Sequence, residues 1–477
     1  TVCLPGVSMR QSSATQLALR PVSSLSSALA GRGLSPLPGM LFVGALLLAG
    51  GASQAEAQES WDGDGSNNPV NAPLEWDNDN NWNNNFPTGA GQDADFSDSN
   101  NQSDEDCRVR DNRSVRDIDT PNGNYDGTLQ IGINLAGTDV AATLTSRNVT
   151  WDDGGGSGLT NPNLGSRIEI RPTGTFRISG NFLYGSGTGG EVDNFVNGGT
   201  LDFNGTGGQA WTDGDDVTQN FGAVVYSGSG TLDLNSDITC DSLNVTGSGT
   251  VNIGNGETLT INGNLTIGTN ATINIADGGT LNVTGTTTVT GDLNVGSGAS
   301  GTFTSGTTGV TGTLDVGVGS TATITGGGDL NVTLGGLVTV LNTGTLSVSG
   351  DMTLNTTAVS PANALDMDDV SPIVIVTGTL SVLSGAIDGI GTAVAPSLTV
   401  GSYVQTANGG IRIADQASGV TVNGTGGVIN ITGGDITTGA TGTNDDWLVT
   451  SNNVTINSTV DLGRVELQGT GLTSGGA

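Results

Sequence analysis

Between residues 255 and 283 the chain reads NGETLTINGNLTIGTNATINIADGGTLNV, and apolar and polar side chains alternate with a period of two. Successive side chains of an extended strand point to opposite faces, so Leu259 and Ile261 share one face and Thr258 and Thr260 the other. Leu259, Ile261, Leu265, Ile267, Ile273 and Ile275 are therefore expected inside, with Gly263 at a corner between two strands. Glu257 and Asp277, the only charges of this stretch, fall beside expected turns. Strands this short cannot bury an apolar face alone and must stack on copies of themselves.

Such copies recur. A two-strand corner of the form Ile/Val-x-Gly-x-Leu/Met occurs at Ile261–Leu265, Val289–Leu293, Val310–Leu314, Val348–Met352 and Val376–Leu380, with a looser copy over Ile324–Leu330. Successive starts differ by 28, 21, 14, 24 and 28 residues and average 23. Periods of this size indicate a solenoid. Stacking each coil on the next pairs backbones in parallel and builds a continuous Leu/Ile/Val interior. The fold class expected is all-β, a right-handed parallel β-helix, with the hand taken from the general rule for parallel connections. An antiparallel sandwich would call for more aromatic side chains than this chain carries between Tyr226 and Tyr403. The segment Thr356–Ile373, with two Pro, three Asp and no Gly, reads as a loop leaving the stack.

The N-terminal part has a different texture. An apolar run within Met40–Ser60 follows Arg10, Arg20 and Arg32, is too short to span a bilayer, and ends in Ala55-Glu56-Ala57, which fits a signal-peptidase site. Residues 1–57 are thus expected to be a signal peptide, with Gln58 as the mature N-terminus. Residues 58–125 form a Trp/Asn/Asp-rich module in which Trp61, Trp76 and Trp82 are expected to cap the open end of the helix, whose strand edges and interior need cover. Val109, Val115 and Ile118, set among Arg108, Arg110, Arg113 and Arg116, suggest one short charge-edged strand. Residues 126–477 are the β-helix repeats, expected to be truncated at the C-terminus. Cys107 and Cys240, which remain after signal removal, read as two buried free thiols.

Charge narrows the partners. The net charge is −33, every one of the 13 basic residues is Arg, and none lies between Arg177 and Arg412. Such a surface repels nucleic acid and anionic membranes and favours solubility and loose Ca²⁺ binding. Asp62–Asn68 (DGDGSNN) offers oxygen ligands but lacks the downstream Glu of an EF-hand loop, so no metal ligand is assigned.

The same composition bears on catalysis. A uronate lyase needs bound Ca²⁺ or cationic side chains and a base, and the repeat region between Arg177 and Arg412 supplies no cationic side chain. A hydrolase needs paired carboxylates. Asp152-Asp153, Asp215-Asp216, Asp368-Asp369 and Asp445-Asp446 are adjacent pairs, but neighbours in a strand face opposite ways. The chain has no His, which removes His-based triads and His-containing zinc sites. No catalytic, cofactor-binding or metal residue is assigned, and no enzyme is expected. Thr258-Leu259-Thr260, Thr286-Thr287-Thr288 and Thr321-Ala322-Thr323 raise the idea of a flat Thr array that orders water, as in ice-binding solenoids. Such an array needs its Thr in register, and the spacings of 14 to 28 residues argue against it, so Thr reads here as a wettable strand former.

Trp61, Asn81-Trp82, Phe86-Pro87-x-Gly89, Asp93-x-Asp95-Phe96 and Tyr125-x-Gly127-Thr128-Leu129, followed by Gly/Thr/Asn-rich strands, resemble the start of bacterial autotransporter-passenger-type surface proteins with β-strand repeats. The resemblance implies a parallel β-helix of adhesin type and carries no catalytic residues. The expectation is an exported structural or adhesin-like β-helix, secreted or on the outer cell surface, with surface polysaccharide or a host or neighbouring cell surface as partner. The alternative is a carbohydrate-active β-helix enzyme, a polysaccharide hydrolase or lyase.

Overall fold

The computed structural model describes residues 58–60, 74–76, 87, 89–96, 106–120, 127–134, 136–151, 167–185, 195–214, 219–296, 300–356, 363–367, 371–389 and 397–413, with short strands between 420 and 467. The signal segment, Trp61, Trp82 and Asp62–Asn68 lie outside the described residues. Every regular element among the described residues is a β-strand. The strands pair in parallel, coil upon coil, for about 11 turns. The chain is a parallel β-solenoid.

One coil shows the construction. Thr250–Ile253, Thr258–Ile261 and Leu265–Ile267 form three sides of a turn. Thr272–Ile275, Thr280–Val283 and Thr287–Val289 form the next, and each strand pairs with its counterpart below. Three ladders result, named here by their outward residues: an Asn ladder, a Thr ladder and a short ladder. The alternation predicted from sequence holds side by side, since Thr258–Ile261 runs half-buried, buried, half-buried, buried. Leu259, Ile261, Leu265, Ile267, Ile273 and Ile275 are all fully buried. Each contributes about 1.5–3 kcal/mol by leaving water. Their stacking makes one continuous core from Trp76 to Tyr403.

The corner motif has a different meaning from the one the spacing suggested. Ile261–Leu265, Ile324–Leu330 and Val348–Met352 join the Thr ladder to the short ladder, whereas Val289–Leu293 and Val310–Leu314 join the short ladder to the next Asn-ladder strand. Two kinds of corner share one sequence because both need a glycine between two buried residues. The spacings of 28 from Ile261 to Val289 and 14 from Val310 to Ile324 therefore mix fractions of a coil, whereas the 28 from Val348 to Val376 is one full coil. Matched strand residues are 22 apart at Leu259 and Leu281, 19 apart at Thr302 and Thr321, and 28 apart at Thr345 and Ile373. The variation is taken up in the turns, while backbone hydrogen bonds hold the strands in register.

Glycine serves the corners in two ways. Gly278, between the Asn and Thr ladders, has φ +70°, a region that L side chains rarely adopt. Gly285, between the Thr and short ladders, is needed for space: a Cβ there would lie 2.5 Å from the carbonyl oxygen of Gly263 in the coil below. Gly263 itself would bring a Cβ to 2.6 Å from the Asp241 carbonyl oxygen. Asp277 is exposed in its turn and Glu257 sits just after one, as expected.

Two expectations change. The segment Thr356–Ile373 does not simply leave the stack: Asn363–Asp366 pairs with the Asn-ladder strand Leu337–Val340. Ala364, Leu365 and Met367 are buried there; these apolar side chains outweigh the absence of glycine. The charge-edged strand around Val109, Val115 and Ile118 is three strands, Cys107–Val109, Arg113–Ser114 and Asp117–Asp119, one on each side of a coil. All three aliphatic residues are buried. The aromatic side chains are few but concentrated: Phe182, Phe195, Phe203, Trp211 and Phe221 pack ring on ring in the N-terminal coils. Trp76 continues this core against Phe96, at 6.1 Å between ring centroids.

Candidate functional site

The outward residues of the three ladders carry whatever chemistry the rod has. In the Asn ladder, Asn252, Asn274 and Asn294 stand one above another. Asn252 Nδ2 donates to Asp233 Oδ1 at 2.7 Å, Asn274 Nδ2 to Asn252 Oδ1 at 2.9 Å, and Asn294 Nδ2 to Asn274 Oδ1 at 2.8 Å. Each of the three amides donates downward, and Asn252 and Asn274 also accept from the amide above. Asp315 is the next rung and Thr339 the one after.

Asp315 marks the strongest candidate for chemistry. It lines a hollow of about 220 Å³ with Asn294, Val295, Gly317, Val318 and Leu341. Burial pushes its carboxyl above the ordinary carboxylate range; a hydrogen bond with Thr339 pulls it back, and the charges of Asp292 and Asp366 push it further up. Asp292, Asp315 and Asp366 all belong to this ladder, yet they do not meet. Asp292 is matched with Thr313, and Asp366 is separated from Asp315 by the Thr339 rung. Two rungs at about 4.8 Å each put the Asp315 and Asp366 backbones about 9.6 Å apart. The hollow is smaller than the roughly 300 Å³ at which ligand pockets begin.

The other acidic candidates fall elsewhere. Asp152-Asp153, Asp215-Asp216 and Asp368-Asp369 lie outside the described residues, as does Asp445; Asp446 opens a strand, Asp446–Val449, whose side chains are not described. At the corners, carboxylates and amides cap the backbone of the next coil. Asp329 Oδ1 accepts from Asp351 N at 2.9 Å, and Asp351 Oδ1 accepts from Thr379 N at 2.7 Å. In the N-terminal coils arginines pair with carboxylates across rungs, as Arg177 Nε does with Asp202 Oδ2 at 2.9 Å. Among the described residues no group of three or more His, Cys, Asp or Glu is placed to hold a metal ion.

Cys107 and Cys240 are free and buried, as expected. Burial pushes the Cys240 thiol up to about 12 and the Cys107 thiol well up, with Asp241 and Asp106 adding to the respective shifts. A reactive cysteine has the opposite shift, so both act as small apolar fillers.

No protein-family model, curated protein or solved structure matches the chain.

Sequence reasoning missed the Asn column and the Asp315 hollow. The signal for the column was there: Asn252, Asn274 and Asn294 each sit one residue before a buried Ile or Val, about one coil apart. For the hollow there was none, because Val318 and Leu341 reach it from two separate turns.

Proposed function

We propose that this chain is an exported, non-catalytic rod that serves as a structural stalk or adhesin at the cell surface, of the autotransporter-passenger type. The observation that carries the reading is how the outward polar groups are used. Asn side chains bond to one another along the stack, and Asp329 and Asp351 cap the coil above. These groups hold the rod together and are not gathered round a substrate. The net charge of −33 would keep such rods apart. Export is supported by the apolar segment that ends at Ala55-Glu56-Ala57. Expression of the whole chain in a bacterium with an outer membrane tests the reading by fractionation, surface proteolysis and N-terminal sequencing. The expected result is a surface-exposed chain beginning at Gln58. A chain that stays in the cytoplasm with its leader intact refutes it.

A second reading, a polysaccharide hydrolase, is favoured by one observation: the raised carboxyl of Asp315 in its hollow. A general acid requires such a shift. Release of reducing ends from a panel of neutral and acidic polysaccharides, lost in Asp315→Asn, would establish it. The stalk reading expects no release by either protein.

A further inference from the structure

The Thr ladder stands apart from the other two. Its strands Thr258–Ile261, Thr280–Val283, Thr302–Ser305, Thr321–Ile324 and Thr345–Val348 are paired rung by rung. One outward column is Thr258, Thr280, Thr302, Thr321 and Thr345; the other is Thr260, Asn282, Thr304, Thr323 and Ser347. No charge and no aromatic ring interrupts either column. The spacing argument against a Thr array therefore fails: coil length varies, but the variation lies in the turns and the columns stay in register.

Two further features separate this face from an ordinary wet strand surface. Among the described residues the hydroxyls of these threonines have no hydrogen-bond partner, whereas the amides of the Asn ladder are tied to one another. Each Thr is also β-branched and stiff about its first side-chain torsion. The ladder thus holds methyl and hydroxyl groups in fixed places, about 4.8 Å apart between rungs and about 6.6 Å apart along a strand. Five rungs span about 19 Å.

We infer that this face binds ice. The surface is periodic in two directions, uncharged and rigid, so its natural complement is a lattice with repeats of the same order, and the oxygens of an ice face form one. Ordered water would bridge the free hydroxyls and pack round the methyl groups. A protein partner would be irregular, and recognition of an acidic or basic one would use charge. A sugar chain would be met by aromatic rings, which this face lacks. The inference gives the rod a partner and does not depend on its export.

The test uses the whole chain, grown into ice from a slowly freezing solution, with ice-crystal shape and growth arrest followed by osmometry. The wild type is expected to enter the ice about tenfold more than an inert control protein, a preference of about 1.4 kcal/mol, and to facet the crystals. Thr304→Lys with Thr323→Lys is expected to abolish both effects. Thr266→Lys with Thr288→Lys, on exposed sites of the short ladder, is expected to leave both intact. Circular dichroism checks folding, and Thr304→Val with Thr323→Val, which keeps the shape of the side chains, provides a milder variant expected to weaken faceting. Exclusion of the folded wild type from ice overturns the inference. Equal loss in the two Lys pairs also overturns it, as does binding to crystalline chitin or cellulose with exclusion from ice.

Discussion

Replacing Asn274 with Ala removes the middle rung of the amide column. The side chain makes two bonds in the column, donating to Asn252 at 2.9 Å and accepting from Asn294 at 2.8 Å. Each is worth about 0.5–1.5 kcal/mol net, so the loss comes to about 1–3 kcal/mol. A solenoid is quasi-one-dimensional, so the effect should stay near the missing rung. Native-state hydrogen exchange read by mass spectrometry is the suitable assay, because a long repeat stack need not unfold in two states. Protection of peptides within 250–295 is expected to fall about fivefold to 150-fold, at 1.4 kcal/mol per decade. Peptides within 330–355 should be unchanged. Asn274→Asp adds a sign test. A carboxylate there faces the Asn252 oxygen and the acidic ladder, so its pKa in the folded chain is raised above the ordinary value of about 3.9. A group with a raised folded pKa adds stability at low pH that is lost as pH rises through that value. Relative to wild type at each pH, the Asp variant should therefore be weaker at pH 7 and largely restored near pH 3, where its protonated carboxyl can donate to Asn252. Uniform loss of protection along the chain, or a deficit in the Asp variant that ignores pH, would show that the column is not a stabilising unit.

The remaining predictions probe a corner, the hollow and a thiol. Gly285→Ala forces a Cβ to 2.5 Å from the Gly263 carbonyl oxygen and should cost about 1–3 kcal/mol by overpacking; Gly309→Ala, with nothing within 4 Å of the added carbon, should be neutral or slightly stabilising in the same denaturation experiment. Asp315→Asn removes a carboxylate whose folded pKa is raised, so it should raise the melting temperature at pH 7 and lose that advantage at a pH below the ordinary carboxylate range; an advantage that persists in acid would contradict the assignment. Cys240, pushed up to about 12 by burial, should resist maleimide at pH 8 in the native chain and react once denaturant is added.

How far the sequence could be read depended on whether a signal was local to a strand. The interior of the coil around Leu259, Ile261 and Leu265 was legible because alternation at period two is a property of one strand. Gly263 was legible as a corner for the same reason. The length of a coil was blurred, because the motif around Gly291 and Gly312 resembles the one around Gly263 and Gly350 while standing at a different corner. Asn363–Asp366 was missed because a strand of four residues between two proline-containing stretches leaves little periodicity to detect. The Asp315 hollow depends on Val318 and Leu341 arriving from turns in successive coils, which is tertiary information.

The same reasoning explains why the outer faces have to be read by register. In a parallel stack the backbone hydrogen bonds fix which residues stand above one another, and insertions are expelled to the turns, where loop closure is cheap. Thr302 and Thr321 are 19 residues apart and Thr321 and Thr345 are 24 apart, yet all three occupy one column. A rule based on constant spacing would scatter them. A rule based on pairing puts Asn with Asn, where the amides bond to each other, and Thr with Thr, where the hydroxyls are left to the solvent. The contrast is chemical as well as geometric: an amide has a donor and an acceptor suited to a repeat of about 4.8 Å, whereas two Thr hydroxyls held at that repeat are too short to reach one another. A column of Asn closes on itself and stabilises the rod. A column of Thr stays open, and the only groups able to complete its hydrogen bonds are those of whatever lies against that face.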